Sequence, residues 1–212
     1  MKNIIKMLTI ILSFAFLASS CDKDTTKPKT ITSNYFPNTV GDSWEYEVYD
    51  SSAFNGIPEY TVKVNITSTV KLIDGINANV WQYEYPWGND TNYVRIIGDT
   101  VKTFSLTYSK TIEDLQFPRT IFLLPFKDKN RWNGGLYGID TFHVSSEGII
   151  KTNFFIFDSC FKIYNHYLGP NLENKDEYWF RPNIGMIQIH FNKYSLGPTY
   201  RVLFQLKKYS LH

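Results

Sequence analysis

The residues of this chain with the most chemistry to offer are four histidines, two cysteines and one close pair of glutamates. His143, His166, His190 and His212 lie at no metal-ligand spacing from one another or from a cysteine. Asp140 and His143 could form an acid–base pair. The plainer reading, a hydrogen-bonded strand histidine, outweighs it. Glu45 and Glu47 sit two apart on one strand, about 7 Å from each other, within the range of glycosidase carboxylates. Such carboxylates normally come from different strands across a cleft, so a solvated pair is expected. No Gly-x-Ser-x-Gly, phosphate loop, dinucleotide fingerprint or His-Glu-x-x-His occurs. Residues 171–177 are polar but lack calcium-loop spacing. The reading is of a protein without catalytic residues, metal or cofactor.

Cys160 lies among Phe154, Phe155, Ile156, Phe157 and Phe161, where a buried, inert thiol is expected. Cys21 stands in a different setting. Lys2 and Lys6 precede an apolar run from Met7 to Leu17, then Ala18-Ser19-Ser20-Cys21. This is the order of a secretory signal, and the run is too short to span a bilayer. Ala18-Ser19-Ser20-Cys21 resembles a relaxed lipobox, with Ala18 where leucine is usual. The resemblance implies a diacylglycerol on Cys21 and removal of residues 1–20; ordinary cleavage after Ser20 is the competing reading. Two or more acyl chains hold a protein stably on a membrane, so the membrane is the expected partner through the anchor. Residues 22–34 are polar and cannot bury a core. They read as a flexible tether spanning roughly 20 Å on average.

Removing residues 1–20 takes Lys2 and Lys6 and leaves 20 basic residues against 20 acidic ones. A neutral chain offers no basic face for a nucleic acid. Residues 35–212 read as a single domain of a size that needs no staple. Aromatics make up 17% of the sequence, which favours strands.

The elements that must carry these groups are strands. From Tyr60 to Leu72 the even positions are mostly apolar and the odd positions polar, which predicts one long strand with one wet face. Asp74-Gly75 marks a turn into a strand at 79–85. Gly98-Asp99 predicts a hairpin between 93–97 and 100–107, and Glu147-Gly148 another between 141–146 and 149–157. Tyr200 to Leu206 alternates in a final strand. Residues 111–116 could form one helical turn, ended by Pro118. About ten strands with short connections imply an all-β domain: a single antiparallel, strongly curled sheet forming an open barrel or half-barrel. A β-sandwich is the alternative.

Tyr35-Phe36-Pro37-Asn38-Thr39-Val40-Gly41-Asp42-Ser43-Trp44-Glu45-Tyr46 resembles a recurring opening in a family of uncharacterised bacterial envelope lipoproteins. Residues 177–187, with Trp179, Pro182, Gly185 and Ile187, resemble the closing motif of the same family. Leu124-Pro125-Phe126 with Trp132 echoes the opening. The resemblance implies a secreted or lipid-anchored β domain and implies no activity; with the anchor, the expected location is the cell envelope, at the outer membrane, on its periplasmic face or the cell surface. Both end motifs read as scaffold.

One ribbon remains. In Trp81-Gln82-Tyr83-Glu84-Tyr85-Pro86-Trp87 every odd position is aromatic. Trp81 and Tyr83 are expected in the core. Pro86 and Gly88 carry the chain into a loop, so Tyr85 and Trp87 are expected to be more exposed and to be the ligand contacts. Two function classes follow. One is a non-catalytic binding or structural module whose ligand is a glycan or peptide. The other is a carrier of an apolar ligand or lipid in the concavity of the sheet.

Overall fold

Strands whose alternate side chains are apolar must hide one face, and among the described residues twelve such strands bend around that face. The structure is a computed structural model, which describes residues 35–50, 56–105, 120–134, 140–169, 172–195 and 200–212. The strands are β1 (Ser43–Asp50), β2 (Tyr60–Lys71), β3 (Asn77–Tyr85), β4 (Gly88–Ile97), β5 (Thr100–Ser105) and β6 (Thr120–Leu123). They continue as β7 (Arg131–Gly134), β8 (Asp140–Lys151), β9 (Ile156–Gly169), β10 (Leu172–Arg181), β11 (Gly185–Ser195) and β12 (Tyr200–Ser210).

All twelve belong to one sheet in the order β6-β5-β4-β3-β2-β1-β12-β11-β10-β9-β8-β7, and every paired neighbour is antiparallel. The two edges, β6 and β7, are consecutive in the chain and approach each other. The sheet is therefore a nearly closed barrel, as the strand pattern predicts, and the sandwich alternative falls away. Two strands more than expected are present. β6 and β7 have four residues each, too few to register as alternation. No helix occurs among the described residues, and residues 111–116 lie outside them.

Two local expectations are corrected. Glu147-Gly148 does not close a hairpin. β8 runs through it to Lys151, and the register shifts on either side of Gly148. Gly148 has φ 69°, which glycine adopts without strain, so it serves as a bulge. The hairpin closes instead at residues 152–155, where the Thr152 hydroxyl oxygen accepts from the backbone N–H groups of Phe154 and Phe155. The second correction concerns β2. Ile66 pairs with Trp81 but Ser68 pairs with Val80, so one extra residue flips the phase. Val62, Val64 and Ile66 face the interior, whereas Val70 and Leu72 pack outside with Ala78, Tyr93 and Phe104.

The interior is filled by rings. Trp44 stacks on Trp81 (5.1 Å between centroids), Trp132 lies parallel to Phe142 (5.3 Å), and Phe126 meets Phe180 edge-on (4.9 Å). Residues 35–42 enter at one end as a hook. Phe36 stacks on Phe180 and Trp81, and the Tyr35 hydroxyl accepts the Phe126 N–H. Asn38 accepts from the Trp81 indole through its side chain and from Asn79 through its carbonyl. The 182–184 turn closes over the same end, where the Trp44 indole donates to the Ile184 carbonyl. Gly185 lies against that indole at a φ of 102°, and a Cβ there would meet Nε1 at 3.3 Å. Both end motifs of the sequence are thus scaffold in contact with each other.

Candidate functional site

The end opposite the hook carries the described aromatic rim. The β3–β4 turn is Pro86-Trp87, and Trp87 is 68% exposed. Its indole stacks on Tyr85, with centroids 5.4 Å apart and planes 16° from parallel. Tyr60 meets it edge-on at 4.9 Å. Tyr60 begins β2 opposite Val48, which is fully buried, so its ring joins the core to the rim. Of the sequence ribbon, Trp81 is core, Tyr83 and Tyr85 are partly buried against the core, and Trp87 projects. A large, exposed and stiffened ring face is suited to stacking on a flat apolar face of a ligand.

Below the rim the inward side chains turn polar. Tyr83 lies two residues along the same strand face from Tyr85, about 7 Å away. It shares a hydrogen bond with Asn92 of β4. Across the interior, Asn165 of β9 faces Phe142 on one side and Asp176 on the other. The Asn165 amide donates to Asp140 at 3.4 Å and is hydrogen-bonded to the Tyr178 hydroxyl. Asp176 is buried, and its carboxylate accepts the Asn192 N–H. The amide oxygens of Asn92 and Asn165 are buried and have no hydrogen-bond partner among the described residues. Unpaired buried acceptors carry a desolvation cost, and a ligand hydroxyl or a water would satisfy them.

Electrostatics follow the burial. Loss of water raises the Asp140 carboxyl above its ordinary value, and the hydrogen bond from Asn165 only partly opposes this. Burial pushes the Tyr83 hydroxyl up, as it does that of Tyr178, which also feels Asp176 and Asp140. Both tyrosines therefore remain neutral and keep an O–H to donate. The arrangement offers hydroxyls, amides and carboxylates next to aromatic faces.

The residues first singled out for chemistry are elsewhere. His143 is on the outer face of β8, stacked on Tyr164 at 4.3 Å, while Asp140 lies on the inner side, so the two do not form a pair. Burial beside Arg131 and Lys162 lowers the His143 pKa. Glu45 and Glu47 do share one face, and Lys207 bridges them at 3.4 and 3.2 Å. Glu177 pairs with Lys162 at 2.9 Å and approaches His190 at 3.7 Å, and these contacts hold its carboxyl below the usual range. Cys160 is buried and unpaired, its thiol pushed up to about 11 by desolvation. Cys21 and the rest of residues 1–34 lie outside the described residues. Among the described residues no group of three or more His, Cys, Asp or Glu could hold a metal ion.

Sequence reasoning selected Tyr85 and Trp87 but missed Tyr60, Asn92, Asn165, Asp176 and Tyr178, and considered Asp140 only with His143. A signal was there. Asp140, Asn165 and Asp176 each sit two residues from an inward apolar side chain, in the phase of Phe142, Ile163 and Tyr178. A polar residue in the dry phase of a strand marks a polar interior.

No protein-family model matches the chain, and no curated protein does. Among solved structures, the chain is similar to a protein described as exported, with a YmcC-like fold, from Bacteroides fragilis. The two share 12% identity with a TM-score of 0.47, over 83% of this chain and 98% of the other. It is also similar to a protein described as a lipoprotein from Parabacteroides distasonis, at 15% identity and a TM-score of 0.43, with the same coverage.

Proposed function

We propose that the chain is a lipid-anchored protein of the cell envelope, carried on the outer membrane by Cys21, whose barrel binds a hydroxyl-rich ligand of glycan type without catalysis. The supporting observation is the Trp87–Tyr85 stack on the rim together with the inward Tyr83–Asn92 and Tyr178–Asn165–Asp140 hydrogen bonds of the same barrel. A ring face for the apolar side of a sugar and neighbouring polar groups for its hydroxyls are the usual pairing in a site that fixes orientation with few polar contacts. The ring-filled interior favours this reading over a carrier of an apolar ligand, which needs an unfilled apolar space.

Two experiments test it. Metabolic labelling with palmitate marks the wild type and not Cys21→Ser; equal labelling of both removes the anchor from the proposal. Tryptophan fluorescence is then titrated with soluble neutral oligosaccharides and, in parallel, with short peptides and a fatty acid. Saturable quenching by an oligosaccharide that is lost in Trp87→Ala supports the glycan reading. A response to the peptide or the fatty acid alone overturns it.

A further inference from the structure

The barrel carries an apolar fringe on the hook end, which includes Ile149, Phe154 and Ile156 of the β8–β9 hairpin and, on two neighbouring hairpins, four isoleucines. Ile73 and Ile76 lie in the β2–β3 turn, and Ile96 and Ile97 at the end of β4; all four are between 39 and 52% exposed. Continuing the β3–β4 register, in which Asn79 faces Val94, sets Ile76 beside Ile97. Val40 of the hook is exposed on the same end. The β2–β3 turn is not loose. Arg95, 5% exposed, reaches across to Asp74 with both terminal nitrogens, at 2.6 and 2.7 Å, and donates to the Ile76 carbonyl. Tips of hairpins normally carry polar turn residues; here a partly buried ion pair ties the 72–76 turn to the end of β4, and both present isoleucine.

The hook fixes where the chain leaves the barrel. Tyr35 is held by Phe126, by ring stacking on Phe180 and by the Asn183 N–H. Only residues 22–34 separate this exit from Cys21, a reach of roughly 20 Å as a coil. Strands of up to 14 residues, at about 3.3 Å per residue and tilted as in a barrel, put the Trp87 rim roughly 30 Å further away.

We infer that the hook end rests on the bilayer, with Ile73, Ile76, Ile96 and Ile97 inserted at the headgroup–acyl boundary and the Trp87 rim directed away from the membrane. The inference rests on the lipid-anchor reading of Cys21. The occupant is the lipid surface because the anchor, at the average reach of these residues, places one beside this end and not beside the rim. Apolar side chains gain by entering that boundary. Lys71, exposed at the base of the 72–76 turn, is placed for the headgroup phosphates.

The test uses the full, lipidated chain in vesicles of phosphatidylethanolamine and phosphatidylglycerol containing a nickel-chelating lipid. Nitroxide labels are placed on Ile97→Cys, Ile73→Cys and Trp87→Cys, one per protein; all three sites are exposed. Relaxation by headgroup nickel is expected to be several-fold stronger at positions 73 and 97 than at 87. Replacing Ile73, Ile76 and Ile96 by serine together is expected to reduce it at 97 while palmitate incorporation is unchanged. Equal relaxation at all three positions, or stronger relaxation at 87, in protein that carries palmitate overturns this inference alone. So does disulfide trapping of Ile97→Cys between two copies in place of lipid contact. Protein that carries no palmitate overturns the anchor reading and this inference with it.

Discussion

Phe36, seven residues before the first strand, lies face to face with Phe180 of β10, 144 positions later, at 5.8 Å and 9° from parallel. The ring is buried and also touches Trp81 and Phe122, so the hook is part of the core rather than a leader into it. Phe36→Ala leaves a void among rigid rings and is expected to cost about 3 to 4 kcal/mol. In thermal unfolding that corresponds to a drop of roughly ten degrees. A change of only one or two degrees would mean that the barrel end closes without the hook.

Trp87 behaves differently because it is already in water. Trp87→Ala is expected to change stability by about 1 kcal/mol or less, the worth of its two ring contacts, while removing oligosaccharide binding. Tyr85→Ala is expected to affect both. Urea unfolding and fluorescence titration on the same preparations separate the two effects, and a large stability loss in Trp87→Ala would contradict the placement.

Asp140 should trade stability against binding. Burial raises its carboxyl above the ordinary 3.8, so the folded state holds the proton more tightly than the unfolded state. The resulting penalty is absent below the ordinary value, grows as pH rises through the folded value, and is complete above it. Asp140→Asn removes the penalty. The variant is expected to melt with the wild type below about pH 3.5 and above it at pH 7, with weaker ligand binding. Identical melting at pH 7 would count against a buried, ionised Asp140.

The Arg95–Asp74 pair is built the other way. The Arg95 guanidinium beside Asp74 holds that carboxyl below its usual range. Asp74→Ala strands a buried guanidinium, and because Asp74 itself touches water the expected cost is about 2 kcal/mol rather than the larger value for fully buried pairs. The urea midpoint should fall with the slope unchanged.

Cys160 gives a simple kinetic reading. With its thiol pushed up to about 11 by burial, it is expected to react with an aromatic disulfide reagent at pH 8 only as fast as the barrel opens. Reaction within the mixing time of the native protein would show a more accessible thiol.

Much of the fold was legible because long antiparallel strands write their faces into the sequence. β2, β3 and β12 alternate plainly, and Asp74-Gly75 and Gly98-Asp99 name their turns. What failed to show was register. Glu147-Gly148 has the composition of a turn, and only pairing with β9 reveals a bulge. The phase change after Ile66 is equally silent, since Val70 and Leu72 are apolar whichever side they occupy. The candidate site is a proposal, and only part of it was legible. Trp87 declared itself by its neighbours, whereas Asn165, Asp140 and Asp176 come from three strands and acquire meaning only when the curl of the sheet turns them inward together.

The strand order has a consequence for how the molecule comes to exist. β1 to β6 form one run of neighbouring strands and β7 to β11 another, and among the described residues they are hydrogen-bonded together only through β12, which pairs with β1 and β11. β12 is also the last strand of the sheet to leave the ribosome. Until it arrives, no strand pairing among the described residues can bridge the two runs, and the contact that unites them spans nearly the whole domain. Such long-range closure is slow. A chain built this way cannot complete its sheet before that strand emerges, so both runs of strands wait on it until the end of the sheet's synthesis.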